Sequence, residues 1–291
     1  MGRNRHPLPA PAPAGPAPTG PADAAAPPDA ADPASDRRFV TALARGLDLL
    51  RCFRPQDRWL PHQELARRTG LPQATVSRLT FTLVQLGYLR HRPGRGEYAL
   101  GPGVIALGYS MLSQFDLARL ARPHMQALAE AAQAAVSLGQ RHDLQMVYVA
   151  HCRSHARLTL GLDVGTRLPL LQTAMGRTLL CVLPGAQREA LCARLAALDP
   201  DGWPRAQEAL QRAQAQWERD GFVIAQSEWS PEISAVGVAL DLGDGREPSV
   251  ITIGGAASHL TRERLQHEHG PRLREAVAAL RAQVQAGAGR D

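Results

Sequence analysis

Positive charge is concentrated in one stretch of this chain. Residues 36 to 110 carry 12 arginines against five acids, whereas residues 111 to 291 carry 19 of each and residues 1 to 35 carry two arginines against three acids. The formal charge of +6 therefore arises within a single segment of 75 residues. All 33 basic residues are arginine, so arginine abundance alone says little; its placement says more. Backbone phosphates reward clustered cations, and a module with this excess is expected to face a polyanion.

The helical punctuation of the same segment narrows its fold. Leu43, Leu47, Leu50 and Phe53 recur at helical spacing until Pro55, which predicts a first helix. A short second helix is expected from Pro61 at its first position to Gly70, with Glu64 near its start. A third follows from Pro72 to Leu86, where Val76, Leu79, Leu83 and Leu86 form an apolar stripe and Gln73, Thr75, Ser77, Arg78 and Thr82 stay off it. Two helices joined by a short glycine-containing turn form the helix-turn-helix pattern. Its second helix here has the donors and acceptors needed to read a major groove: arginine pairs with guanine and glutamine with adenine. Tyr88 to Arg90 and Glu97 to Leu100 are expected to form a hairpin around Arg92 to Gly96, giving a wing whose Arg92 and Arg95 suit phosphate or minor-groove contacts.

Composition sets the outer limits. With 291 residues, 44% hydrophobic and 21% charged, the chain is long and apolar enough for two packed domains, and a wholly disordered chain is excluded. The longest charge-free stretch, Tyr98 to Phe115, is broken by glycine, proline and polar residues, so no membrane span is expected. The four cysteines are 100, 29 and 11 residues apart with no C-x-x-C pair, which suits a reduced, cytoplasmic protein. Residues 1 to 35 hold 10 prolines and 11 alanines and are expected to be a disordered tail.

The stretch HQELARRTGLPQATVSRLTFTLVQLGYL followed by GEYALGPGVIALG closely resembles the winged helix of IclR-family bacterial transcriptional regulators. DVGTRLPLLQTAMGRTLLCVLP and GFVIAQSEWSPEISAVGVALDLGDGREPSVITIGGAA resemble that family's effector-binding domain, so the likeness runs from about Phe39 to Leu280. RLP with MGRTLL is most similar to the branch controlling catabolism of protocatechuate, 4-hydroxybenzoate and related aromatic acids. The fold class expected is α/β (α+β): a tail over 1–35, a winged helix-turn-helix over 36–101, a linker helix over 102–116, and a GAF/PAS-like effector-binding and oligomerisation domain over 117–291. The resemblance implies double-stranded operator DNA, a small organic acid and further copies of the chain, as dimer or tetramer, as partners. It assigns Ala174, Met175, Gly176, Ala235, Thr252 and Gly254 to the effector site by motif position. Some members have an acid where Ala225 stands and a cysteine where Ala235 stands.

Beyond residue 116 the pattern predicts a helix over Leu117 to Gln133. Strands are expected over Ala135–Gln140, Gln145–His151, Leu158–Leu160, Phe222–Ala225, Ile233–Leu240 and Ser249–Gly254. Helices are expected from Thr173, over Ala186–Leu198, Pro204–Arg219 and Arg262–Val284. Gln172 to Gly176 fall at a helix start, where anions are favoured. His151, Cys152 and His155 have metal-donor chemistry but lack a second pair, and strand neighbours point to opposite faces; His267 and His269 are expected on a solvated helix start. No metal, cofactor or catalytic motif is expected, and lysine is unavailable for Schiff-base chemistry. Two rival readings stay open at this point: a DNA-anchored enzyme acting on the bound molecule, and a regulator whose pocket is vestigial.

Overall fold

The computed structural model describes residues 36–113, 116–155, 162–243 and 245–288, and these divide into two compact units, 36–113 and 116–288. The expected tail and the strand at Leu158–Leu160 lie outside the described residues.

The first unit holds three helices and a three-stranded sheet. Helices α1 (Thr41–Arg51), α2 (His62–Thr69) and α3 (Gln73–Gln85) surround a core of Leu49, Leu65 and Val76, closed by Leu60 of strand β1 (Leu60–Pro61) and Leu89 of strand β2 (Leu89–Arg92). Strand β3 (Glu97–Leu100) lies between β1 and β2 and pairs antiparallel with both. The strand β1 has no counterpart in the sequence reading, because two residues carry no alternation. Pro61 precedes α2 as its cap rather than opening its first turn. Gly70 ends α2 with φ of +66°, a left-handed conformation that glycine adopts without Cβ strain and that turns the chain into α3.

Helix α1 is rotated from the expected face. Leu49 is fully buried with Leu50 and Phe53 partly covered, while Leu43 and Leu47 are exposed. Leu49 enters the three-helix core and Gly46 faces Leu79 of α3, so the packed side of α1 runs through these positions and leaves Leu43 and Leu47 outside it. Helix α4 (Pro102–Ser113) follows β3, in the stretch where a linker helix is expected, and exposes Ile105, Leu107, Tyr109 and Met111.

The second unit is built on one antiparallel sheet, in the order β6 (Arg167–Pro169), β5 (Gln145–Cys152), β4 (Ala135–His142), β9 (Ser249–Ala256), β8 (Ile233–Leu240), β7 (Val223–Gln226). Helices α5 (Asp116–Ala132) and α10 (Gly270–Ala288) pack on each other and on one sheet face. Helices α6 (Ala174–Val182), α7 (Gly185–Leu198) and α8 (Trp203–Asp220) lie over the other, around Leu168, Leu170, Leu179, Leu180, Leu191 and Leu210. The stripe buried by α5 is Leu117, Ala121, Met125 and Ala129.

The final helix begins as α9 (Arg262–Arg264) and passes through a π-turn, Leu265–His269, into α10. That wider turn swings His269 inward to 1% exposure, with Gly270 packed against the ring of Phe222. The expectation of a solvated pair therefore holds for His267 and fails for His269.

Candidate functional site

In the first unit α3 presents the expected polar face. Gln73, Ser77, Arg78 and Thr82 are exposed and Thr75 is half-buried, while Val76 and Thr80 point into the core. Ser77 Oγ lies 3.0 Å from His62 Nε2, tying the face to the start of α2, and the Thr82 hydroxyl donates back to the Arg78 carbonyl at 3.0 Å. Arg78 and Arg95 make no ion pair among the described residues, leaving both guanidinium groups free for a partner.

Other arginines of the segment are committed internally. Arg68 donates to Glu64 at 2.7 Å, to the Cys52 carbonyl at 3.0 Å and to Asp57, while Arg67 grips Glu64 through two bonds of 2.8 and 2.6 Å. These donors hold the Glu64 carboxyl down to about 2. Arg92 sits at the end of β2 rather than at the hairpin tip, its guanidinium 3.9 Å from the centroid of Trp59 and 3.8 Å from Glu97. Arg90, two residues earlier on the same strand face, lies 5.5 Å from the same ring. Trp59 and Arg90 escaped the sequence reading because an aromatic in the loop before β1 gives no sign that it will reach the wing.

In the second unit a cavity of about 580 Å³, counting its open mouth, lies between the sheet and the start of α6. Strand pairing explains its floor. Ala135, Gly254, Ala235 and Ala225 are cross-strand neighbours on four adjacent strands, so a row of small residues leaves space above the sheet. The next row is polar, with Ser137 flanked by His151 on one side and Thr252 on the other.

Helix α6 forms the cavity's end. Thr173 caps it, accepting from the Gly176 amide at 3.1 Å and donating to the Pro169 carbonyl at 2.8 Å. Ala174 and Met175 occupy the first turn, where backbone amides have no partner within the helix. Both line the cavity, as do Ala235, Thr252 and Gly254. Gly176 does not: a Cβ there would sit 2.3 Å from the Leu170 carbonyl oxygen, so this glycine is required for α6 to press on the Leu170 backbone.

Tyr148 and His151 also line the cavity, although a three-residue spacing on a flat strand would put them on opposite faces. A bulge shifts the register between Leu138 and Gly139, pairing Leu138 with Ala150 and Gly139 with Tyr148 and returning both rings to one face. They stack with centroids 5.8 Å apart. The Tyr148 hydroxyl lies between the Ser137 and Thr252 hydroxyls, and burial pushes its pKa up. On the far side Glu228, after β7, receives Arg177 through bonds of 2.7 and 2.5 Å, and Arg177 also donates to the Leu171 carbonyl at 2.6 Å.

The metal-donor trio separates. His151 faces the cavity, Cys152 points toward the Arg122 carbonyl on α5, and His155 is 92% exposed at its side chain beside Glu130. Among the described residues no three histidine, cysteine, aspartate or glutamate side chains converge.

Comparison with known proteins matches both units. The family model described as the IclR helix-turn-helix domain covers residues 42–93, and the one described as bacterial transcriptional regulator IclR C-terminal covers residues 109–282. This chain belongs to the IclR family. It is similar to the HTH-type transcriptional regulator TsaQ1/TsaQ2 of Comamonas testosteroni, at 36% identity over 85% of this chain and 90% of that protein. The Pca regulon regulatory protein of Pseudomonas putida is 30% identical over 86% of this chain and 88% of its own length. The crystal structure of an IclR-family regulator from Brucella abortus superposes with a TM-score of 0.78 at 40% identity, covering 86% of this chain and 94% of that one. The chain is thus a ligand-responsive, DNA-binding transcriptional regulator of the IclR type, with an N-terminal helix-turn-helix and a C-terminal effector-binding domain.

Proposed function

We propose that this IclR regulator senses a small organic acid, of the aromatic-catabolism class, whose carboxylate is held by the first-turn amides of α6. The observation that carries the reading is the opening of the α6 N-terminus, at Ala174 and Met175, onto a cavity floored by Ala135, Ala235 and Gly254. Helix N-termini favour anions, and the small-residue floor accepts a flat apolar body. The 30%-identical Pseudomonas relative is a Pca regulon regulatory protein, which supports this ligand class.

On DNA, α3 enters the major groove with Gln73, Thr75, Ser77, Arg78 and Thr82, while Arg95 at the wing tip and Arg92 beside it contact phosphates. Two copies act together, joined over the exposed apolar residues of α1 and α4, and effector binding shifts the arrangement that fits the operator. Action on DNA, as the helix-turn-helix family implies, supports a cytoplasmic site of action. In this reading the ligand is sensed and leaves unchanged, in keeping with a family of transcriptional regulators.

Fluorescence anisotropy on the chain's own upstream DNA tests this. Benzoate, 4-hydroxybenzoate, protocatechuate, pyruvate and glyoxylate are titrated into the complex, and each acid is then recovered and analysed. An aromatic acid that changes operator affinity and returns intact is the expected result; silence from the whole panel, or a new product, overturns it.

A further inference from the structure

The polar side chains around the cavity are mostly committed to one another. The Thr173 hydroxyl serves the α6 cap, the Ser137 and Thr252 hydroxyls serve Tyr148, and the Glu228 carboxylate serves Arg177. His151 differs. The residue is 9% exposed with its ring stacked on Tyr148, and Nδ1 is held by Ser137 Oγ at 2.9 Å, while Nε2 is buried without a hydrogen-bond partner among the described residues. A fixed ring with one satisfied nitrogen and one unsatisfied nitrogen is a recognition group, since leaving that atom unpaired against an apolar ligand forfeits a hydrogen bond in a dry site.

We infer that His151, positioned by Ser137, determines effector specificity by pairing Nε2 with a hydroxyl carried by the acid away from its carboxylate. The inference rests on the organic-acid reading of the cavity and names the second feature such an acid must have. Burial and the nearby Arg153 hold the imidazole below its usual pKa, with Asp163 opposing, so the ring is neutral and offers one donor and one acceptor. If Nδ1–H donates to Ser137, Nε2 accepts; if Nδ1 accepts from Ser137, Nε2–H donates. A hydroxyl suits both tautomers, whereas an unsubstituted ring edge suits neither. Tyr148, Leu162, Leu168, Met175, Trp229 and Ile233 provide the apolar surround for the body between the two polar ends.

Isothermal titration calorimetry on the full chain with benzoate and 4-hydroxybenzoate tests the assignment. Wild type is expected to bind the hydroxylated acid about tenfold more tightly, the size of one net hydrogen bond. In His151→Phe, which keeps a flat ring against Tyr148, the preference falls to near unity with benzoate affinity retained, and His151→Gln restores part of it. Ser137→Ala narrows the preference without abolishing it, because Nε2 remains but its ring is less firmly held. Thermal unfolding of each variant establishes that it is folded. Equal binding of the two acids by wild type, or a preference that survives in folded His151→Phe, overturns the role of His151 while leaving the acid-sensing reading intact. Failure of both acids to bind wild type overturns that reading and this one with it.

Discussion

Gly176 and Gly254 are both small residues near the effector cavity, and a methyl group added to each meets opposite surroundings. At Gly176 it lands 2.3 Å from the Leu170 carbonyl oxygen and 2.4 Å from its Cα, which are backbone atoms that cannot step aside. Gly176→Val is therefore expected to destabilise the chain by about 1 to 3 kcal/mol or more through overpacking, seen as a lower urea midpoint. A variant as stable as wild type would show that α6 does not press on Leu170 as described. At Gly254 the nearest atom is the Ala235 Cβ at 3.5 Å, an ordinary contact. Gly254→Ala should leave the urea midpoint nearly unchanged, within about 0.5 kcal/mol, while filling the floor of the cavity and weakening the acid response of operator binding. Motif position grouped the two glycines; only the distance to Leu170 separates them.

Glu64 supplies a residue-scale test of the first unit. Its carboxyl is lowered from 4.5 to about 2 by hydrogen bonds from Arg67 and Arg68. A group whose folded pKa lies below its unfolded value adds stability above the unfolded pKa and loses it as pH falls through the folded one. The contribution is thus complete above pH 4.5 and disappears towards pH 2. Glu64→Gln is expected to cost about 1 kcal/mol at pH 7, solvent screening of the Arg67 side keeping the figure small, and to flatten the acid limb of the stability curve. Chemical denaturation across pH 2 to 7 measures both, and an unchanged limb would remove Glu64 from the account.

At the scale of elements, what sequence made legible was whatever had length or punctuation. Helix α3 runs Gln73–Gln85 with Val76 buried and Arg78 exposed because its apolar stripe spans three turns, and the Gly70 turn fixes where it begins. Strands β1 and β6 have two and three residues, too few for alternation to register. The bulge in β4 and β5 hid the partnership of Tyr148 and His151, since one shifted register cancels the parity on which a strand reading depends. The rotated face of α1 and the inward turn of His269 were hidden for a related reason, because each depends on which side a neighbouring helix packs or on one extra residue in a turn.

The two DNA-facing elements call for different signatures. Arg78→Ala on α3 is expected to cost about 1 to 3 kcal/mol on operator DNA and to relax preference at one base position. Arg95→Ala at the wing should weaken binding to every sequence alike and lower the slope of log affinity against log salt by about one. Gel shifts over a salt series distinguish them. A sequence-dependent loss for Arg95, or a uniform one for Arg78, would exchange their roles.

At the scale of the molecule, the arginine excess lies wholly in residues 36–110, while the sensing residues carry balanced charge. One copy therefore brings a single recognition helix and a single wing to DNA, a small contact for selecting a site among many. The exposed Leu43 and Leu47 of α1 and Ile105, Leu107, Tyr109 and Met111 of α4 give a second copy an apolar surface to cover, which is the proposed route to paired recognition helices. Pairing imposes a period on the operator. Half-sites must lie one helical turn of about 10.5 base pairs apart, or a multiple, for both α3 helices to face their grooves. Inserting five base pairs between half-sites rotates one of them by half a turn and is expected to reduce affinity at least tenfold, whereas inserting ten or eleven restores binding as far as the joined copies can span the longer gap. Footprinting on such a series reads the period directly. Affinity indifferent to the insert would mean that each chain binds alone, and the apolar faces of α1 and α4 would then need another explanation.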